Sequence, residues 1–348
     1  MPSVSIDTFF ACALTVSVAL LATAFFAGTM QTRINNLKDT NENQYLSAIA
    51  EHIVTSRGSP AGWGSTGSLV PATFGLAKDD SSIPYELDID KIGRLNNESE
   101  YFLSYPDVSK AARLNNLALG ISISPLLSTD VELYSNVTVG DETEYTFKVS
   151  VNEGSVQASA SLRCYAVARN FVTSVSGEVS SSGVGYVTVE IPNSPNGPAV
   201  LIAFARASFD DRITSFGVCS FAHLSEETTP NNSYLSLSPL NYELNASPRF
   251  PETTIEYAYV FSYSYQSNLR STSENNYSIP TIVDKSPMVM VLYGATDGTY
   301  FLEWVSYPHL PLQFGADFAG SEENVFTYTV TIKETLYTLI IRFGDVAN

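Results

Sequence analysis

Charge is scarce in this sequence. Only 16% of its 348 residues are charged, against roughly a quarter in an ordinary soluble protein. Basic residues are the scarcer kind: 18 Lys and Arg stand against 36 Asp and Glu, a net charge of −18. Such a surface repels phosphate backbones, which argues against nucleic acid as a partner. Cysteine is nearly absent. Cys12, Cys164 and Cys219 are the three, and none lies in a CxxC, so zinc-ribbon and thioredoxin-like readings fail. Histidine is as rare: His52, His223 and His309 are far apart. The chain has no HExxH, GxSxG, Walker loop or GxGxxG. The acidic pairs Asp88/Asp90 and Asp210-Asp211 sit in helix-start and turn contexts, where capping or solvated-turn roles are expected. A structural, non-enzymatic protein is therefore expected, without metal or cofactor.

What is present is apolar and aromatic. The chain is 44% hydrophobic, with 20 Tyr and 19 Phe, enough to build real cores and a composition that favours strands. From Thr8 to Met30 the run TFFACALTVSVALLATAFFAGTM has no charge over 23 residues, more than the ~20 a helix needs to cross a bilayer. A signal peptide would have a basic n-region and a shorter apolar core. Small residues, among them Ala11, Ala19, Ala22 and Ala27, recur through the run and would let helix backbones approach one another. Beyond Gly28 the sequence turns polar, but Ile34, Leu37, Tyr45, Leu46, Ile49 and Ile53 keep an apolar stripe at helical spacing. Gly58 and Pro60 form the stop signal. One helix, or two nearly collinear ones interrupted at Asn41–Asn43, is expected over residues 1–57.

Residues 58–116 read as a linker with short helices at LDIDKIGRLNN and SKAARLNN. From Leu117 the pattern shifts to period two or short apolar runs and stays so to the end. Hairpin turns are expected at Phe209-Asp210-Asp211 and Asp297-Gly298. The predicted fold is α+β, mainly β: a long N-terminal hydrophobic helix followed by one or two antiparallel, Ig-like β-sandwich domains. A first sandwich is assigned to 117–222 and a second β-rich domain to 223–348, with the boundary somewhere in 208–230. Cys164 and Cys219 lie in strand-like segments, leaving open a disulfide in an oxidising compartment or two buried free thiols. Five N-x-[ST] sequons begin at Asn97, Asn136, Asn231, Asn245 and Asn276, with Pro248 following the last of the Asn245 set, which weakens it. Arg33 and Lys38 after the apolar run favour a cytoplasmic head by charge bias. The sequons, the tyrosine-rich β composition and the low lysine content favour the outside, which is the reading adopted.

The order of pieces at the end of the stem is distinctive. Thr55-Ser56-Arg57-Gly58-Ser59-Pro60-Ala61-Gly62-Trp63 is followed by Gly75-Leu76-Ala77 and then by Lys91-Ile92-Gly93-Arg94-Leu95. This set resembles the archaeal type IV pilin-like surface proteins, whose apolar helix and amphipathic stem end at T-x-G-x-P-x-x-W, followed by G-L-A and K-[IL]-x-x-L. Here the first motif is one residue longer between Thr and Gly. The resemblance covers about the first third of the chain. It implies secretion by a pilus-type machine and self-assembly through N-terminal helices with β-rich heads outermost, so that a filament subunit with glycosylated heads, held in the membrane before assembly, is the expected function. Members carry a basic leader before the apolar run, whereas MPSVSID has no basic side chain. They also often hold an acidic residue near the helix start. Asp7 matches it, with an N-cap role as the alternative. A membrane-anchored accessory protein, such as a minor pilin, a stator-like component or an adhesin, is the second reading.

Overall fold

The computed structural model of the chain describes residues 3–114, 117–194, 196–225, 230–281, 284–318 and 323–345. The side chains of 3–8, 12, 19, 22, 32, 34–41, 323 and 345 lie outside what is described. The chain divides into two compact units, Met1–Glu51 and His52–Asn348.

The first unit is helix. α1 (Ser3–Thr55) is one unbroken element, so Asn41–Asn43 do not interrupt it. In the second unit, a single 3-10 turn at Trp63–Ser65 and two short helices, α2 (Ile89–Gly93) and α3 (Tyr105–Ala111), precede the strands. α2 falls inside the expected LDIDKIGRLNN segment, whereas α3 starts earlier than the expected SKAARLNN helix and shares only Ser109, Lys110 and Ala111 with it. Asp88 caps α2 by accepting from the Asp90 and Lys91 amides, and Ser104 caps α3 by accepting from the Asp107 amide.

Twenty strands form among the described residues, all paired antiparallel. In chain order they are β1 (Leu117–Pro125), β2 (Leu127–Val139), β3 (Glu142–Glu153), β4 (Val156–Gln157), β5 (Ala160–Ala168), β6 (Phe171–Val179) and β7 (Val184–Pro192). Then come β8 (Gly197–Ala207), β9 (Thr214–His223), β10 (Leu235–Leu240), β11 (Glu243–Pro248), β12 (Thr254–Phe261), β13 (Gln266–Asn268) and β14 (Arg270–Ser271). The last are β15 (Asn276–Ser278), β16 (Met288–Thr296), β17 (Thr299–Tyr307), β18 (Leu312–Gly315), β19 (Glu323–Ile332) and β20 (Thr335–Asp345). They make five sheets: β18-β1-β20-β19, β10-β11-β15-β14, β13-β12-β16-β17, β6-β5-β8-β9, and β2-β3-β4 with β7 also on β3. The mainly β head begins at Leu117, as the pattern predicted. Both expected hairpins form. β8 returns as β9 across Asp210-Asp211, and β16 returns as β17 over Asp297 (φ 51°) and Gly298 (φ 81°), the left-handed pair that a two-residue hairpin requires.

The stacking differs from two successive sandwiches. The β6-β5-β8-β9 sheet is covered on both faces. Cys164, Ala166, Leu201 and Ala203 join Phe147, Val149 and Val187 of the β3/β7 sheet in one core. Tyr165, Val167, Ile202 and Phe204 point the other way and join Phe261, Val289, Val291 and Tyr293 of the β12/β16 sheet in a second core. Consecutive strand residues face opposite sides, so a strand between two apolar layers must be apolar throughout. β8, which reads GPAVLIAFARA, is buried from Pro198 to Ala205. Strand β7, in an outer layer, alternates buried and exposed. The boundary expected at 208–230 is therefore corrected: it would cut the second core in two. It would also separate β1 from β20, which pair from Leu117↔Asp345 to Pro125↔Tyr337.

Candidate functional site

Two features stand out, one in each unit. The first is the apolar part of α1, Phe9–Gln31, long and apolar enough to cross a membrane. None of its described side chains is buried: Phe9, Leu14, Leu21 and Phe25 are each 70–72% exposed. Its hydroxyls turn back onto the helix. Thr15 Oγ1 donates to Ala11 O (2.8 Å), Ser17 Oγ to Ala13 O (2.9 Å), Thr23 Oγ1 to Leu20 O (2.9 Å) and Thr29 Oγ1 to Phe26 O (3.0 Å). These side chains are thus satisfied without water, a condition for residence in hydrocarbon or in a helical core. Ala11 and Ala27 are exposed. The side chains of Asp7, Ala19 and Ala22 lie outside the described residues.

The second feature is a knot in the second unit, where the three motif pieces of the stem end converge. The last carbonyls of α1 need donors. Leu76 N donates to Ile53 O (2.8 Å) and Ala77 N to Ser56 O (3.0 Å). This approach admits no side chain at residue 75, because a Cβ on Gly75 would fall on Ser56 O. Gly58 turns the chain at φ +70°, and Trp63, fully buried, donates from its ring nitrogen to Gly75 O (3.2 Å).

Two cations lock the knot, Lys91 on α2 and Arg94 at its C-cap. Lys91 is fully buried and donates to Arg57 O (2.9 Å) and Ala77 O (2.7 Å). Arg94, 2% exposed, donates to the Tyr101, Trp63, Leu69 and Gly67 carbonyls at 2.6–3.0 Å. Both charges lie over the Trp63 ring, at 5.9 and 5.6 Å from its centre, within cation–π range. Burial lowers both pKa values. Lys91 stands three residues before Arg94, so one helix face presents both. Nothing in this arrangement is poised as a nucleophile or base. It fixes the chain leaving the helix.

The acidic residues are held in structural ways too. Asp88 is the cap expected of it. Asp90 is not a solvated turn residue: it is 8% exposed and accepts from Tyr307 Oη (2.6 Å) and Asn241 N (2.8 Å). Burial raises its pKa from the ordinary carboxylate value. Asp210 is clasped by Arg212, which holds its carboxyl down at about 2, and Asp211 pairs with Lys285 (2.8 Å). Glu303, fully buried, accepts from the Tyr234 (2.6 Å) and Leu235 (2.9 Å) amides, and burial raises its pKa. His223, also fully buried, lies between Tyr145 Oη (2.9 Å) and Pro192 O (2.8 Å). The carbonyl needs a donor, so Nε2 carries the proton and Nδ1 accepts from the tyrosine. Among the described residues, no group of three or more His, Cys, Asp or Glu is placed to hold a metal ion.

Cys164 and Cys219 are both free. Cys164 stands opposite Ala203 and Cys219 opposite Leu201, on the two flanks of β8. Two strand spacings put their backbones roughly 10 Å apart, beyond the ~7 Å a disulfide can bridge. The disulfide option is thus removed, and burial pushes the Cys164 thiol up to about 12.

The five sequons occupy unlike places. Asn97 lies exposed in a turn, and Asn136 exposed on β2. Asn231 is half-buried and bonded to Trp304. Asn245 and Asn276 are half-buried and directly opposite one another across β11 and β15.

Arg94 was missed by sequence reasoning. It falls on a spacer position of the motif, among the charged residues of IDKIGRL, where nothing local sets it apart.

No family model matches the sequence, and no curated protein matches it. Solved structures similar in part include HBP35 of Porphyromonas gingivalis, 10% identical over 52% of this chain and 63% of that one, with a TM-score of 0.19. Red sea bream transglutaminase is 11% identical over 66% of this chain and 38% of its own, with a TM-score of 0.21. Human GIVD cytosolic phospholipase A2 is 8% identical over 66% and 33%, with a TM-score of 0.15. The chain spans less than two thirds of each, and likeness at this level carries no argument about what the chain does.

Proposed function

We propose that this chain is a structural subunit of an extracellular type IV pilus-like filament, in which the apolar helices of many copies pack together and the glycosylated β-rich heads lie outside. The observation that carries this reading is the apolar stretch of α1. Its described side chains stand exposed from end to end of the span while its hydroxyls are satisfied within the helix. An apolar helix of this length must be covered by lipid or by other helices. Small residues favour helices: Ala11, Ala13, Ala24 and Ala27 are exposed, and Gly28 has open space where a Cβ would stand. A membrane houses the helix before assembly, and a pilus-type machine transfers it.

The test is negative-stain microscopy of material sheared from cells, with the chain identified in the filaments by mass spectrometry. Filaments that contain the chain and survive mild detergent are expected. Recovery only from membrane extracts, as a detergent-released monomer or small oligomer, overturns the filament in favour of the second reading, an anchored surface or accessory protein.

A further inference from the structure

We propose that Asn97 and Asn136 carry the glycans of the head, that the Asn136 glycan shields an open sheet edge, and that Asn231 is a bare structural clasp. The proposal rests on the surface reading above and selects among sequons of which the sequence alone weakens only that at Asn245.

Asn231 faces β17 edge-on: its Nδ2 donates to Trp304 O (2.8 Å) and its Oδ1 accepts from Trp304 N (2.8 Å). To reach both groups of one residue, the amide must use the Nδ2 hydrogen on the same side as Oδ1. A planar amide with one substituent on nitrogen places that substituent on this side, as the trans peptide bond does. A sugar on Asn231 would therefore take the place of the hydrogen that binds Trp304 O. The folded chain has no room for it. Asn245 and Asn276 oppose one another in register, with Cβ atoms roughly 5 Å apart, so that pair holds one glycan at most.

Asn97 and Asn136 are different. Both are exposed, and neither side chain has a hydrogen-bond partner among the described residues. Asn136 lies in the middle of Leu133–Val139, a stretch of β2 that is exposed throughout. This strand pairs with β3 on one side only. The segment LYSNVTV has no charge, and Tyr134, Val137 and Val139 are 59–66% exposed. An open, uncharged, β-prone edge invites pairing with another chain unless something covers it. Of the usual devices the segment has one bulge, at the register shift between Leu133 and Ser135, and from Ser135 onward it has no lysine, proline or inward-pointing charge. A glycan on Asn136 supplies the missing cover.

The modification joins Nδ2 of the asparagine to C1 of a saccharide carried on a polyprenyl pyrophosphate. The new bond is N–C1, and the bond broken is that from C1 to the pyrophosphate oxygen. The lipid pyrophosphate leaves and takes up the amide proton.

The experiment is glycopeptide mass spectrometry of the full chain taken from the native cell surface, alongside protease accessibility of the head on intact cells. Saccharide on the Asn97 and Asn136 peptides and an unmodified Asn231 peptide are expected. An accessible head with Asn136 bare, or with Asn231 modified, overturns the proposal and leaves the surface reading standing. A head protected from protease overturns the surface reading itself, and the proposal with it. The edge role is read by Asn136→Gln and Thr138→Asn, which remove the same sequon by different residues, the second keeping a polar side chain where Thr138 bonds Thr143. Both should lose one glycan mass and shift the detergent-solubilised chain to larger assemblies in light scattering, at unchanged melting temperature. Unchanged assembly size in both variants overturns the shielding role.

Discussion

At the scale of single residues, buried polar groups such as Lys91, Arg94 and Glu303 decide the local structure by bonding to backbone. Arg94 is the extreme case, because its four donated bonds all go to carbonyls of the segment 63–101. A lysine offers the same charge without the planar fork and would leave buried carbonyls unpaired at ~1–3 kcal/mol each. Arg94→Lys should therefore lower stability by about 2–4 kcal/mol in urea denaturation, with the Trp63 emission shifting red before the global transition. A pH prediction follows from His223. Its burial lowers its pKa below the usual 6.5, so below that value the unfolded chain binds a proton that the folded chain refuses. Stability from the neutral imidazole is present at pH 7 and is lost as pH falls through that window. Asp90 and Glu303, raised by burial, act oppositely, since their contribution falls as pH rises from the ordinary carboxylate pKa towards the raised one. The stability gap between wild type and His223→Gln isolates the histidine. Measured by urea midpoints, it should narrow between pH 7 and pH 5. Of these residues, the Asp88 cap was legible in sequence. Asp90, Arg94 and Glu303 were not, because their partners lie far away in the chain and no local pattern announces them.

At the scale of elements, period and length were the reliable signals. The charge-free run predicted the helix, and the amphipathic stripe predicted its continuation to Gly58. α1 passes through Asn41–Asn43 because poor helix propensity costs only a few tenths of a kcal/mol per residue. The filament reading makes a demand on this helix. Ala19→Leu with Ala22→Leu adds bulk at constant apolarity, so membrane insertion should persist. Helix packing should lose roughly 1–3 kcal/mol per contact. Loss of filaments with a normal amount of membrane-bound subunit is the expected micrograph and blot, and wild-type filaments from the double variant would sink the packing argument. Among the strands, the apolar runs of β5, β8 and β16 were visible as runs, yet a sandwich strand should alternate. That failure to alternate was the sequence-level sign of strands covered on both faces.

At the scale of the molecule, residues 52–348 form one compact unit. The doubly covered sheet makes the halves dependent on each other, for without β12, β16 and β17 the Tyr165, Ile202 and Phe204 face of β5 and β8 would stand in water. Fragments 52–222 and 223–348, expressed separately, should therefore lack cooperative thermal transitions in circular dichroism. Phe204→Ala in the whole chain should cost about 3–5 kcal/mol and lower one shared transition; two resolved transitions would restore the picture of separate sandwiches. The sequence by itself determined the apolar helix, the start of the β region at Leu117, its hairpin turns, and the candidate sequons, because each is written in neighbouring residues through charge, period or turn chemistry. Only the tertiary structure decided that β1 closes on β20, that Cys164 and Cys219 flank β8 too far apart to join, and that Asn231 is clasped while Asn136 is open. Those outcomes depend on which strands lie side by side. Pairing between distant strands is selected by the packing of whole faces, a property that no local stretch of residues contains.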